Sequence, residues 1–232
     1  MKKFGLLLFI VTISIGVVFA NLFSFGRVTG KILDFSFVSK IDGSSVAASD
    51  VREARNFTGV DISGVFEVQI VAGKDFALEV QADDNLLQYI KTEVQDGVLK
   101  IETTERINSH TPLRVRISAP DIERVEASGA CKVSVEGVKN SDLAIDTSGA
   151  SKVDLSGETG ALDIDVSGAS KIDAEGLVTG IATVDASGAS KVSLFVTDRL
   201  TSTASGASRI IYSGTPASVE KKTSGASSVR PK

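Results

Sequence analysis

The chain has 232 residues, a formal net charge of −4, one cysteine and one histidine. These numbers exclude an internal disulfide framework, cysteine-rich or histidine-rich metal centres, and the basic excess that attracts nucleic acid. We therefore predict no cofactor, no metal and no nucleic-acid partner. The chain lacks Trp and has two Tyr, while valine, glycine and serine are abundant in its second half, which favours short strands and tight turns over helices.

The first 25 residues are typical of an export segment. Lys2 and Lys3 precede an apolar run over residues 4–25, and Ala20 offers a small-residue cleavage site. The run is also long enough to cross a bilayer uncleaved. Residues 1–25 are therefore predicted to be a signal peptide or an N-terminal membrane anchor, with membrane contact only in the second case. Both alternatives place the remainder outside the cytoplasm.

The next part of the chain changes from irregular to strand-like. Residues 26–50 are polar and irregular and are predicted to be a linker. Residues 51–120 alternate apolar and polar side chains, which predicts long and less regular strands. Asp84 is suited to cap a short helical turn. Asp96 and Gly97 separate two alternating runs, which is a strong hairpin signal.

From residue 121 a short phrase, Ser-Gly-Ala, recurs with a nearly constant period. Successive copies are separated by 20, 19, 20, 18 and 19 residues. The phrase begins at Ser128, Ser148, Ser167, Ser187, Ser205 and Ser224. A constant period of this length is typical of a solenoid in which each repeat forms one coil.

Alternating apolar runs on both sides of the phrase predict two strands per coil, with a column of glycines between them at Gly137, Gly157, Gly176 and Gly214. We predict that residues 51–232 form one all-β domain, a parallel β-helix with coils of about 19 residues over residues 121–230. The connections favour a right-handed helix.

The phrase itself suits the corners of such coils. Glycine reaches positive φ and permits close backbone approach, and alanine and serine are small enough to stack at the strand spacing. Serine hydroxyls can also bond backbone groups of the corner. The predicted corner glycines are Gly129, Gly149, Gly168, Gly188, Gly206 and Gly225.

Stacking of the coils converts recurrent charges into columns. One predicted column is basic: Lys132, Lys152, Lys171, Lys191 and Arg209. A second is acidic: Glu126, Asp146, Asp165 and Asp185. Two interpretations stay open. The columns either form a solvated surface that prevents aggregation, or they form a regular array for a periodic partner such as an anionic polysaccharide.

Three parts of the sequence resemble the GIN domain family, the head domain of auto-transporter adhesins. They are "RNFTGVDISGVFEVQIVAG", "ADDNLLQYIKTEVQDGVLKIE" and the Ser-Gly-Ala phrase, and the resemblance covers residues 52–230. It implies a right-handed β-helix in a bacterial envelope protein with no established activity. In relatives the phrase is usually followed by an acidic pair, whereas here Ser-Lys follows in three of the six copies.

These observations favour a non-catalytic module of the bacterial envelope that acts in adhesion, in binding envelope polysaccharides or surface proteins, or as structure. The alternative is a carbohydrate-active enzyme, a lyase or hydrolase, on a β-helix scaffold. An enzyme requires one asymmetric cleft with converging carboxylates, which we would expect from residues 75–115, and no catalytic residue is predicted from the repeated columns. Homo-oligomer formation and the identity of the ligand stay open.

Overall fold

A computed structural model describes residues 40–232 of the chain. The predicted export segment, residues 1–25, lies outside this range. The described part of the chain contains a single 3-10 turn, Leu87–Tyr89, close to the helical turn predicted after Asp84. Its N-cap is Leu86 and no side chain caps it, so the predicted capping by Asp84 is wrong. It includes no helix with the length and apolar character that crossing a membrane would take.

The N-terminal half consists of short strands. They are β1 (Ile41–Asp42), β2 (Ala47–Arg52), β3 (Gly59–Gly64), β4 (Glu67–Ala72), β5 (Ala77–Asp83), β6 (Ile90–Gln95), β7 (Val98–Thr103), β8 (Ile107–Asn108) and β9 (Arg114–Ala119). β1 and most of β2 lie within residues 26–50, the segment predicted as linker. β6 and β7 form the predicted hairpin, and both of its turn residues, Asp96 and Gly97, have positive φ.

The repeat region forms longer strands. They are β10 (Arg124–Gly129), β11 (Lys132–Thr147), β12 (Lys152–Val166), β13 (Lys171–Ala186), β14 (Lys191–Ala204), β15 (Arg209–Ser213), β16 (Ser218–Thr223) and β17 (Ser228–Pro231). In β11 to β14 the two predicted strands of each coil are joined into one, with a register irregularity where they meet. Gly137 and Gly157 adopt positive φ at this bend, whereas Gly176 does not. The predicted glycine column is out of register, because Gly157 pairs with Val138 and Gly176 with Ser156.

The strands stack into two walls. The first wall contains β6, β7, β3, β10, the C-terminal halves of β11 to β14, and β16. The second wall contains β2, β5, β9, β4, the N-terminal halves of β11 to β14, β15 and β17. Neighbouring coils pair in parallel, whereas β6, β5 and β2 add antiparallel strands at the N-terminal end. This is the predicted parallel β-solenoid, with about five turns.

Both walls direct their apolar side chains into one core. On the second wall, one inward row stacks in register over five coils: Val133, Val153, Ile172, Val192 and Ile210. Every member of this row is completely buried. Burial of an aliphatic side chain of this size contributes about 1.5–3 kcal/mol, so the stacked rows supply the main stabilisation that a single coil could not provide.

The last coil has a charged residue in a row of positions that face the core in the preceding coils. One inward row of the first wall runs Ile145, Ile164, Val184, Ser202 and Lys221. The Lys221 ammonium lies 5.1 Å from the centre of the Tyr212 ring. A charge in a core-facing row opposes the addition of another apolar coil, and natural sheets protect their exposed edges in this way. The last coil therefore has the features of a cap.

Substitution of the inward lysine tests this role. We expect Lys221→Val to produce concentration-dependent, salt-insensitive association, because it leaves an apolar open end on the solenoid. Light scattering after gel filtration measures it. The control is Lys222→Val, which changes the adjacent outward-facing position that pairs with Thr203. Equal behaviour of the two variants would contradict the capping role.

Candidate functional site

The Ser-Gly-Ala corners have a geometry that only glycine fits well. In Gly168, φ is +76°, and a Cβ atom would lie 2.3 Å from the carbonyl oxygen of Gly149 in the preceding coil. Ala169 N donates to that same oxygen at 2.8 Å, so the corner backbones are in direct contact. All six corner glycines have φ between +70° and +96°. Their role is therefore structural.

The serine after each Ala also belongs to the corner structure. Ser208 is 1% exposed, and its hydroxyl donates to the carbonyl oxygens of Ser205 at 2.8 Å and Ala186 at 3.1 Å. Cys131 occupies this position in the first repeat, with Sγ 3.4 Å from Ser128 O. Burial raises the pKa of the Cys131 thiol, which therefore stays protonated and unreactive. The phrase builds corners and offers no nucleophile.

A basic ladder lies on the outer face of the second wall. Its members are direct Cα partners on five successive coils, at the strand spacing of about 4.8 Å: Lys132, Lys152, Lys171, Lys191 and Arg209. Lys152 and Lys171 form ion pairs with Asp154 and Asp173 on their own strands, at 2.6 and 3.8 Å. Within residues 40–232, the other three members have no carboxylate oxygen within 4.0 Å.

An acidic ladder lies on the outer face of the first wall. It contains the predicted Glu126, Asp146, Asp165 and Asp185 and extends by one residue to Asp61, which pairs with Glu126. Sequence reasoning missed Asp61 because it precedes the repeats and only the register of β3 against β10 reveals it. Burial and then neighbouring carboxylates raise the pKa of both Asp61 and Asp146. The negative charges of this ladder are therefore crowded.

The two ladders do not form one site. They face outward from different walls with the core between them, so the lysines and aspartates predicted as one binding array lie on separate surfaces. The closest partners of opposite charge are local, such as Asp154 beside Lys152 and Arg124 beside Glu126. Each surface therefore offers mainly one sign of charge to a partner.

A cleft of about 540 Å³ lies at the N-terminal end, where the repeat is broken. Val65 and Leu113 contribute apolar surface, and Glu105 is the single carboxylate among the lining residues. His110 also lines the cleft from an exposed loop position. A glycan-cleaving site of the kind considered above needs carboxylates that converge, and this cleft does not provide them.

Asp83, at the end of β5, shapes the loop beside this cleft. Its carboxylate is fully buried, and Oδ2 accepts hydrogen bonds from Ser109 Oγ at 2.8 Å, His110 N at 2.8 Å and Thr111 N at 3.4 Å. Burial works to raise the pKa of Asp83, but these hydrogen bonds outweigh it and hold the pKa below its ordinary value. No sequence signal distinguished Asp83 from the exposed Asp84 beside it.

The described residues contain no group of three or more His, Cys, Asp or Glu side chains placed to hold a metal ion. What the geometry does provide is two flat faces with regularly spaced charges. A parallel β-solenoid with such faces is a repeat module suited to presenting an extended surface.

The chain belongs to the GIN domain family. The family model described as "Putative auto-transporter adhesin, head GIN domain" matches residues 56–216. No curated protein matches the chain significantly.

Solved structures share the fold. A structure of a putative adhesin from Bacteroides fragilis has a TM-score of 0.67 at 16% identity, with 83% of this chain and all of that chain covered. A putative adhesin from Parabacteroides merdae has a TM-score of 0.50 at 18% identity, covering 83% of this chain and 99% of that one. A putative lipid binding protein from Parabacteroides distasonis has a TM-score of 0.50 at 17% identity, covering 84% of this chain and all of that one.

Residues 40–232 hold their own core within one compact unit. These residues can therefore be studied as a self-contained folding unit.

Proposed function

We propose that this protein is an exported, non-catalytic module of the bacterial envelope that binds an anionic polysaccharide along its basic ladder. The adhesin family supports a binding role at the cell surface. Lys2, Lys3 and the apolar residues 4–25 support export and leave the module either tethered at its N-terminus or released.

The observation that carries the proposal is the register of the basic ladder. Five cations stand in one line on five coils, and a linear polyanion can contact several of them at once. Each exposed contact contributes little, about 0–1 kcal/mol, but contacts to one polymer add through effective concentration. The basic ladder then favours polymers whose negative charges have a spacing that matches its own.

The enzyme alternative has less support. The acidic and basic residues recur from coil to coil, whereas a catalytic site is one asymmetric arrangement. The cleft beside residues 103–113 contains Glu105 as its single carboxylate, which is insufficient for acid and base roles.

Replacement of the basic ladder tests the proposal. We expect the change of Lys132, Lys152, Lys171, Lys191 and Arg209 to alanine to weaken binding of an anionic polysaccharide such as alginate at least about tenfold, because repeated contacts are lost together. Surface plasmon resonance on immobilised alginate measures this change, with neutral dextran as the reference surface.

A matched variant controls for net charge. Five exposed lysines outside the ladder are changed to alanine: Lys74, Lys91, Lys100, Lys139 and Lys222. This variant loses the same charge, so binding should be reduced far less than in the ladder variant. Equal loss in both, or no binding by the unaltered protein to any anionic glycan of a panel, would refute the proposal.

A further inference from the structure

The two charged ladders match each other in geometry. The acidic ladder has five members on five successive coils, Asp61, Glu126, Asp146, Asp165 and Asp185. The basic ladder also has five members on five successive coils. Both are set by the same stacking distance of about 4.8 Å, so their charges are commensurate along the solenoid axis.

The positions of the two ladders on different walls also allow two copies of the chain to contact each other. The first and second walls enclose one core, so each ladder lies on an outer surface of its own. Two copies in the same orientation can therefore stand side by side with the acidic face of one against the basic face of the other. The acidic ladder begins one coil earlier, at β3 rather than at β11, so a shift of one coil along the axis brings all five pairs into register.

Electrostatics favours this contact. Like charges on adjacent coils repel each other, and burial together with neighbouring carboxylates raises the pKa of Asp61 and Asp146. A row of cations from a second copy would relieve this crowding. On the basic side Lys132, Lys191 and Arg209 have no ion-pair partner among residues 40–232, so their charges are available for contact.

We propose that copies of this chain associate side by side, with the acidic ladder of one copy docked on the basic ladder of the next. The two surfaces differ, so each copy keeps one free acidic and one free basic face after docking. Such a heterologous contact does not close on itself and produces an open row of modules. A row aligns the solenoids of neighbouring copies and extends the binding surface of the envelope.

This inference goes beyond the proposed glycan binding and does not require it. The basic ladder is shared by both roles, so a neighbouring copy and an anionic polymer compete for it. The N-terminal end and the last coil take no part, since the contact runs along the walls. Association should be strong only at low ionic strength, because exposed charges are screened over about 10 Å at 0.1 M salt.

A complementation experiment with residues 40–232 tests the pairing directly. The acid-face variant carries Asp146→Lys and Asp185→Lys. The basic-face variant carries Lys132→Glu and Lys191→Glu. In both, each changed residue gains a neighbour of opposite charge within its own ladder, while position 132 also adjoins Glu67 on β4. Unchanged unfolding midpoints verify that the variants fold.

The expected results are specific for a two-sided contact. In sedimentation velocity at low ionic strength the native protein forms a concentration-dependent series of oligomers, and high salt dissolves them. Each variant alone is weakened at least about tenfold in self-association, since its altered face no longer matches its native one. An equimolar mixture forms dimers and nothing longer, because the native basic face of one variant meets the native acidic face of the other.

A control variant separates this contact from a general effect of charge. Lys74→Glu with Lys139→Glu changes two exposed lysines outside both ladders, alters the net charge by the same amount as the basic-face variant, and should associate like the native protein. The proposal is overturned if the native protein stays monomeric at millimolar concentration in low salt. It is also overturned if the mixture of the two variants stays monomeric or if the control loses association to the same degree.

Discussion

Gly168→Ala is expected to destabilise the fold by about 2–5 kcal/mol. Two effects combine. An alanine at φ +76° costs about 1–2 kcal/mol because Cβ crowds its own backbone. Its Cβ would also lie 2.3 Å from the carbonyl oxygen of Gly149, so two stacked coils must separate, which adds about 1–3 kcal/mol. Denaturant unfolding followed by circular dichroism measures the change.

Gly73→Ala is the matched control for this prediction. Gly73 has nearly the same φ, +78°, but no atom lies within 4 Å of the position that its Cβ would occupy. The Gly73→Ala variant should therefore be destabilised only by the cost of placing alanine at positive φ, about 1–2 kcal/mol. Similar losses for the two variants would show that conformation alone, rather than contact between stacked corners, explains the glycines of the phrase.

Asp83→Ala is expected to destabilise the fold by about 3–5 kcal/mol, an effect similar in size to that of Gly168→Ala. The change removes a fully buried acceptor and leaves the His110 and Thr111 amides without their partner, whereas Ser109 Oγ keeps the Thr111 carbonyl oxygen at 2.6 Å. Asp83→Asn keeps one acceptor oxygen for these donors but loses the charge and replaces the other oxygen by an NH2 group, so we expect it to cost less, about 1–2 kcal/mol. Unfolding of both variants at neutral pH provides the comparison.

The same carboxylate predicts a pH dependence. The pKa of Asp83 is lower in the folded protein than its ordinary value of 3.8. Its stabilisation is therefore complete above about pH 3.8 and is lost as the pH falls below that value through the folded-state pKa. Asp83→Asn cannot titrate, so the difference in stability between native protein and variant should shrink in acid. A difference that stays constant down to pH 2 would contradict this assignment.

The repeat allowed the ladders to be predicted. Lys152 and Lys171 are 19 residues apart, and the fold places them as direct partners. The prediction succeeded because each coil has nearly the same length, so equivalent residues stack whatever the details of packing. The corner glycines followed from the same period, and their positive φ explains why the phrase is retained in every coil.

The parts outside the repeat could not be assigned in this way. Asp61 precedes Glu126 by more than three coil lengths, yet the two are partners because β5 to β9 stack on one side of β3 and β4 and leave the other side of β3 free for β10. Asp83 and Asp84 are adjacent aspartates with opposite environments, one buried and one exposed. Only the path of the loop around Ser109 decides which of them receives the hydrogen bonds.

The amino-acid sequence by itself determined the coil length, the inward and outward alternation, the corners and the order of charges along each column, because these are periodic properties that local chemistry sets. The tertiary structure decided which wall carries each column, which residues extend the columns beyond the repeats, and which polar groups are buried. These depend on register between segments far apart in the chain, and register is fixed by packing of the whole core rather than by any local signal.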